Sequence, residues 1–125
     1  MTTQHKPQKP TITFENLAAL DIRLCRIEAV EDILQNPKKP PGEDNPVKAY
    51  KFTLDTGFDK RECVCNLIKY TKDYFLGGLH PFILNLPPAE IRHVVSTAMM
   101  VAASDDAGVA VFEPAHAVGV GAVVF

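Results

Sequence analysis

The stretch DIRLCRIEA, residues 21–29, predicts a bent β-strand near the start of the chain. Its first apolar side chains, Ile22 and Leu24, follow the two-residue period of a strand. The apolar pattern then resumes at Ile27, one position out of phase. Because strand side chains repeat every two residues, we expect a β-bulge near Cys25 and Arg26. A bulged and strongly curved first strand is typical of small barrels.

A hairpin is predicted next. Residues 49–55 alternate strictly, with Tyr50, Phe52 and Leu54 on one face. After a four-residue turn that contains a glycine, residues 61–67 alternate again and return as the second strand. These two segments supply two strands of the expected barrel.

The connecting segments complete the prediction. Residues 31–47 hold four prolines and predict an extended loop. Short helices are expected at 13–17, with Thr13 as N-cap, and at 70–76 before a pair of glycines. Further strands are expected at 79–86, from Ser96 to Ala103, and at 109–113, where the last two form a hairpin across the turn at 105–108. Five or six short strands with a bulged first strand predict an all-β fold with short helices, a five-stranded Greek-key barrel of the OB type.

Length and composition agree with one globular domain. The chain has 125 residues, of which 46% are hydrophobic and 22% charged. We expect a flexible N-terminal arm at 1–11 and a single domain at 12–125. No apolar run reaches the roughly 20 residues of a membrane span, and no secretory signal is apparent. Three cysteines, an odd number, argue against a disulfide framework. A cytoplasmic protein with reduced thiols is therefore expected.

Charge is unevenly distributed. All 13 Lys and Arg residues lie at or before Arg92, whereas residues 93–125 contain three acidic residues and no basic one. The formal net charge is −2. A strongly basic nucleic-acid clamp would have a different balance.

Several kinds of chemistry are excluded by missing motifs. Ser96 lies near His93, but no Gly-x-Ser-x-Gly elbow surrounds it. Cys63 and Cys65 lack the second pair that a zinc site needs, and no histidine has ligand spacing to them. No glycine-rich phosphate loop is present. The sequence thus predicts no catalytic residue, no metal and no cofactor, which leaves binding as the function.

OB barrels bind single strands or folded RNA across one face with basic and aromatic side chains, and they also bind peptides and sugars. The candidate basic residues include Arg23, Lys48, Lys51 and Arg92. The alternative is that these side chains only keep the surface of the sheet solvated.

The chain resembles the tRNA-binding domain family. The resemblance rests on Ile12–Glu15, Leu20–Arg23, Ala49–Phe52 and, most specifically, Asn85–Ser104. In this last block an Asn-x-x-Pro start is followed by a basic middle, a serine and an apolar, Met-rich strand. Together with Thr-Phe-Glu near the front of the chain, the Asn-x-Pro-Pro segment is most similar to the branch of CsaA-type export-related chaperones. The similarity extends from about Ile12 to Glu113.

That resemblance implies an OB fold, no catalytic activity, and binding of tRNA or structured RNA. It also implies a homodimer built through the N-terminal helix and the C-terminal segment. Arg23, Lys51 and Arg92 would contact phosphates, and Asn85 and Ser96 would position the loop or bond the RNA. The expected RNA-binding residues are Arg23, Lys48, Lys51, Asn85, Arg92 and Ser96.

Other functions stay open at this point. The chaperone branch implies a homodimer that binds unfolded preproteins, and a third possibility is a module of a larger synthetase complex. Ala89-Glu90 stands where the family often has a basic residue, which weakens the RNA face. The uncharged tail Val118–Phe125 packs either on a symmetric partner or on its own barrel.

Overall fold

The structure is a computed structural model that describes residues 5–125. Its elements, in chain order, are α1 (Phe14–Ala18), β1 (Ile22–Leu34), β2 (Val47–Asp55), β3 (Lys60–Cys65), α2 (Lys72–Phe75), β4 (Leu79–Ile83), β5 (Ala89–Ile91), β6 (Val94–Ser96), β7 (Met99–Met100), β8 (Ala102–Asp105) and β9 (Gly108–Val111). Residues 5–11 belong to none of these elements and are exposed. The first four residues of the predicted arm lie outside the described residues.

Five antiparallel strands form the central sheet, in the order β3-β2-β1-β4-β7. The strands β1, β2 and β3 follow one another as hairpins, and β4 returns to lie beside β1, which is a Greek-key order. The sheet curls so that β3 approaches the segment after β6, where the Thr97 N–H donates to the Glu62 carbonyl at 2.9 Å. The prediction of an all-β, five-stranded OB-type barrel is confirmed.

The first strand is bulged, but the predicted position of the bulge near Cys25 was wrong. Cys25 and Ile27 are both fully buried, so the alternation continues through them. The register against β2 shifts between Ile27 and Ala29, which leaves Glu28 as the extra residue. The error arose because Leu24, assumed to face inward, is only half-buried, and Cys25 faces the core instead.

The core lies inside the curled sheet. Tyr50, Phe52 and Leu54 are buried on the predicted face of β2. The short helix α2 closes one end with Phe75, which is fully buried and whose ring centroid lies 4.9 Å from that of Phe52. Cys63 is buried in the same cluster. These apolar contacts fix the positions of β2 and β3, from which the candidate site is built.

The proline-rich loop is shorter than the predicted 31–47. β1 continues to Leu34 and β2 begins at Val47, because the end of β1 pairs with the start of β2. The buried side chain of Asn45 holds the loop together. Its Nδ2 donates to the carbonyls of Asn36, Lys39 and Pro40 at 3.0–3.1 Å, and its Oδ1 accepts from the Asn36 N–H at 2.8 Å.

The other predicted elements are present with changed bounds. Thr13 caps α1, as predicted, and the structure adds a capping box with Asn16. The helix expected at 70–76 is only α2, and the strand expected at 79–86 ends at Ile83. The predicted last hairpin is present as β8–β9. Its first strand was expected to be continuous, but it is interrupted at Val101 and is therefore divided into β7 and β8.

The hairpin β5–β6 was not predicted. Its strands have only three residues each, and its two turn residues, Arg92 and His93, are not residues that signal a turn. The predicted number of strands, five or six, was therefore too low for the described residues, although the main sheet has the expected five.

The C-terminal segment pairs with the start of β1. The Val124 N–H donates to the Ile22 carbonyl at 2.8 Å, and the Gly121 N–H donates to the Leu24 carbonyl at 2.8 Å. Gly121 has φ +86°, and a Cβ there would lie 2.9 Å from the Thr56 carbonyl oxygen. The tail thus packs on its own barrel through its backbone, whereas the side chains of Val123 and Phe125 remain exposed.

Neither of the helices found between residues 5 and 125 is long and apolar enough to cross a membrane. All three cysteines are free and buried, as the sequence predicted.

Candidate nucleic-acid interface

A groove of about 740 Å³ lies between the end of β3 and the hairpin segments that follow β4. Its size is in the range of small-molecule and ligand pockets. The start of β2 and the end of β3 form one side, and β5, β6, β7 and β8 form the other. The groove therefore depends on the Asn85–Ser104 block, which folds back over the barrel.

The groove is mostly apolar and carries positive charge. Its apolar lining includes Leu67, Leu86, Ile91, Met99 and Val109. The charged residues among those found to line it are Lys48 and Arg92, and no carboxylate is among them. Both cations are exposed, and neither takes part in an ion pair with any residue in the range 5–125. An apolar surface with two unpaired cations suits an anionic ligand that also has apolar faces.

Arg92 lies at the tip of the β5–β6 hairpin in an unfavourable backbone conformation. Ile91 pairs with Val94, so Arg92 and His93 form a two-residue turn. Their φ angles are +50° and +68°. Such turns favour glycine, asparagine and aspartate, because other side chains pay about 1–2 kcal/mol each in the left-handed region. Strain of this kind is concentrated at functional sites.

Ser96 lines the groove, but its hydroxyl is already used. The side chain is buried, and its Oγ accepts from the Val64 N–H at 3.3 Å and donates to the Ala98 carbonyl at 3.0 Å. These bonds attach β6 to β3 and so fix one wall of the groove. Nearby, burial raises the pKa of the Cys65 thiol. The Ser96 hydroxyl is thus part of the structure of the groove wall, and burial favours the neutral form of the Cys65 thiol.

Lys51 lies outside the groove and is paired. Its Nζ is 2.9 Å from a carboxylate oxygen of Glu62 and 2.9 Å from one of Glu31. The hydrogen bond to Glu62, with that to Glu31, raises the pKa of Lys51. Lys51 borders a second cavity of about 790 Å³, which Arg92 also borders.

Arg23 and Asn85 lie elsewhere on the barrel. Arg23 forms an ion pair with Asp21 at 2.8 Å, and its guanidinium carbon lies 5.1 Å above the centre of the Phe58 ring. Asn85 makes two hydrogen bonds to the backbone, one to Asp21 and one to Ala19. The structure therefore brings Lys48, Arg92 and Ser96 together at the groove and places the other three expected residues outside it.

Sequence reasoning missed two features of the site. The apolar lining from Leu86, Ile91 and Met99 had no signal, because β5 to β7 were not recognised as separate strands. Arg61 is not among the expected site residues, but its Nη1 donates to the carbonyls of Leu84 and Thr97 and thereby holds the block against the barrel. The strand pattern of β3 could not reveal this contact, because Leu84 and Thr97 are distant in sequence.

Among residues 5–125, no group of three or more His, Cys, Asp and Glu side chains is arranged to hold a metal ion. The arrangement can bind a ligand through charge, hydrogen bonds and apolar contact.

Comparisons with known proteins agree with this fold. The family model "Putative tRNA binding domain" matches residues 36–123. The methionine–tRNA ligase of Cytophaga hutchinsonii is 30% identical over 121 residues, which are 95% of this chain and 16% of that protein. The ligase of Pyrococcus horikoshii is 34% identical over 114 residues, which are 90% of this chain and 14% of the ligase. This chain thus spans a small part of these relatives.

Two solved structures share the fold. A MetRS-related protein from Pyrococcus horikoshii superposes with a TM-score of 0.79 at 20% identity, covering 94% of this chain and 100% of the other. A CsaA chaperone protein from Picrophilus torridus gives a TM-score of 0.76 at 23% identity, covering 92% and 100%. Because the family model covers most of the chain, including the groove block, this protein belongs to the tRNA-binding domain family.

Proposed function

We propose that this protein binds tRNA or a similarly structured RNA, without catalysis, in the groove over β3. The observation that carries the proposal is the charge of the groove: Lys48 and Arg92 line it without an ion-pair partner among the described residues, and no carboxylate is found in its lining. The net charge of the chain is −2, so this local excess of positive charge is not a consequence of composition.

The ion pairs elsewhere strengthen this argument. Five cations, Arg23, Lys51, Lys60, Arg61 and Lys72, each lie within 4 Å of a carboxylate. A phosphate would have to compete with those carboxylates, and displacing them would return little net electrostatic energy. Phosphate contacts are therefore assigned first to Lys48 and Arg92.

The apolar lining suits the bases and riboses of an RNA ligand. Unstacked bases bind apolar and aromatic surfaces through their faces, and ribose adds further apolar contact. Exposed Met99, Leu86 and Ile91 offer such a surface beside the two cations. In this account Ser96 and Asn85 act as positioning residues that hold the groove block in place.

The direct test is a fluorescence-anisotropy titration of labelled tRNA at low and near-physiological salt, with a duplex RNA as competitor. Binding that weakens steeply with salt and survives the competitor is the expected result. Absence of binding even at low salt would refute the proposal. The location expected from this ligand is the cytoplasm.

A second candidate is a chaperone that binds unfolded preproteins. The observation in its favour is the exposed apolar surface around the ends of the chain, which includes Ile12, Phe14, Leu17, Val123 and Phe125. The fold that this chain shares with CsaA chaperone proteins also favours this candidate. If the protein failed to slow the aggregation of a denatured model protein at one dimer per molecule of that protein, this candidate would be rejected.

The same surface supports a homodimer. Phe14 is 79% exposed on α1, and the chain enters β1 directly after this helix. The C-terminal segment, with exposed Val123 and Phe125, pairs beside the first residues of β1. α1 leads into the start of β1 and the C-terminal segment pairs beside it, so a second copy of the chain would cover the exposed apolar side chains of both.

A further inference from the structure

We propose that bound RNA continues from the groove across the tip of the β5–β6 hairpin into the second cavity, where His93 and Lys38 contact its backbone. The proposed ligand of this cavity is a phosphodiester of an extended, single-stranded RNA segment. This inference rests on the proposed function, because it assigns a second subsite to the same ligand.

The two cavities share one residue. Arg92 lines the groove over β3 and also the second cavity of about 790 Å³. The second cavity lies between the β5–β6 hairpin and the loop after β1, and its lining includes Lys38, Lys51 and His93. A chain that left the groove at Arg92 would therefore enter this cavity directly.

The charges of the second cavity leave room for one more anion. Its lining contains two carboxylates, Glu31 and Asp32. Glu31 shares Lys51 with Glu62, each at 2.9 Å, and Asp32 is paired with Lys72 at 3.1 Å. Within residues 5–125 neither Lys38 nor Arg92 has an ion-pair partner. The two free cations face the cavity from opposite sides, one on the loop and one on the hairpin.

Both sides of the cavity are fixed before a ligand arrives. The Lys38 N–H donates to Asn36 Oδ1 at 3.1 Å, and buried Asn45 ties Asn36 to the rest of the loop. On the hairpin, Arg92 and His93 keep positive φ angles that glycine or asparagine would adopt more easily. Since His93 is exposed and its side chain packs in no core, packing does not explain why histidine occupies this strained position. Its imidazole borders the cavity and is placed to contact a ligand there.

The test compares variants of this turn and loop by RNA titration. His93→Gly relieves the backbone strain of the positive φ angle and removes the imidazole. His93→Asn also removes the imidazole, but it introduces a side chain that tolerates the turn. Lys38→Ala removes the facing cation, and Lys39→Ala is its matched control, because Lys39 is a neighbouring exposed lysine outside the cavity lining. Two probes are used, folded tRNA and a single-stranded oligonucleotide of about ten nucleotides.

We expect His93→Gly to melt at the same or a higher temperature than the wild type, and yet to bind both probes about three- to tenfold more weakly. His93→Asn should bind more weakly as well, and Lys38→Ala should lower the salt slope by about 0.7 relative to Lys39→Ala. If these variants bind like the wild type while Lys48→Ala/Arg92→Ala binds more weakly, the second subsite is refuted and the groove stands. If the wild type binds neither probe, the proposed function itself fails.

Discussion

The side chain of Asn85 accepts a hydrogen bond from the backbone N–H of Asp21, with 2.9 Å between Oδ1 and N. Its Nδ2 also donates to the Ala19 carbonyl at 2.6 Å. One amide thus joins the end of α1 and the entry to β1 with the start of the groove block. The Asn-x-x-Pro feature that the family resemblance emphasises acts here as a structural connection between distant segments.

Replacing this amide should destabilise the protein without removing an RNA contact. We expect Asn85→Ala to lower the free energy of unfolding by about 1–3 kcal/mol, because two backbone groups lose their partner. Urea unfolding measures the change. In tRNA titrations at a temperature where the variant is fully folded, affinity should equal that of the wild type. A large loss of affinity at unchanged stability would instead assign Asn85 to the RNA interface.

Gly78 is the second position at which a small change should have a large effect. A Cβ at Gly78 would lie 2.6 Å from His80 Nε2 and 3.0 Å from the Phe75 carbonyl oxygen. His80 is buried and cannot move into solvent. We expect Gly78→Ala to cost about 1–3 kcal/mol of stability through overpacking. Gly119→Ala is the control, since a Cβ there meets nothing within 4 Å. Equal thermal stability of the two variants would contradict this packing.

The buried thiols give a prediction about pH. Burial raises the pKa of Cys63 from an ordinary value of 9.0 to about 12 and that of Cys25 to about 11. The unfolded chain therefore releases these protons at lower pH than the folded chain does. Below about pH 9 the thiols contribute their full stability, and this contribution is lost as the pH rises from about 9 towards 12.

Thiol labelling checks the same burial. At pH 8 the native protein should react with a thiol reagent far more slowly than the urea-unfolded protein, in which all three cysteines react. Unfolding curves measured at pH 8, 9.5 and 11 should show a falling free energy of unfolding. Rapid labelling of the native protein, or a free energy that rises over this interval, would show that the thiols are accessible.

Phe14 tests the proposed dimer. Because its side chain is 79% exposed, Phe14→Ser should leave the stability of a single chain nearly unchanged. In sedimentation equilibrium the wild type should be a dimer, and the dissociation constant of the variant dimer should be at least tenfold higher. Val95→Ser is the matched control, since Val95 is exposed on β6, away from both chain ends. A monomeric wild type would refute the dimer.

The parts of the fold that could be predicted are those whose signal is local. The alternation of Tyr50, Phe52 and Leu54 predicted β2 and its buried face, and the capping pattern at Thr13 predicted the start of α1. The position of the bulge was wrong because an exposed residue, Glu28, interrupts the strand, and nothing in its chemistry distinguishes it from other outward-facing residues.

The site was less predictable than the fold, since it depends on contacts between distant segments. Lys51 has the residue type that binds phosphate, but its carboxylate partners, Glu31 and Glu62, come from β1 and β3, and only the structure places them there. The strained turn at Arg92 and His93 has no sequence signal, because the residues that normally mark such turns are absent.

Lys48 and Arg92 are the residues proposed to carry the electrostatic part of RNA binding. The most direct measurement is the slope of log Kobs against log salt concentration for labelled tRNA, compared between Lys48→Ala/Arg92→Ala and the control Lys39→Ala/Lys69→Ala. Both double variants remove two exposed positive charges, but only the first removes charges from the groove. We predict that the groove variant binds more weakly and that its slope is shallower by about 1.5, while the control stays close to the wild type. Equal slopes for the two variants would contradict the assignment of the groove as the RNA interface.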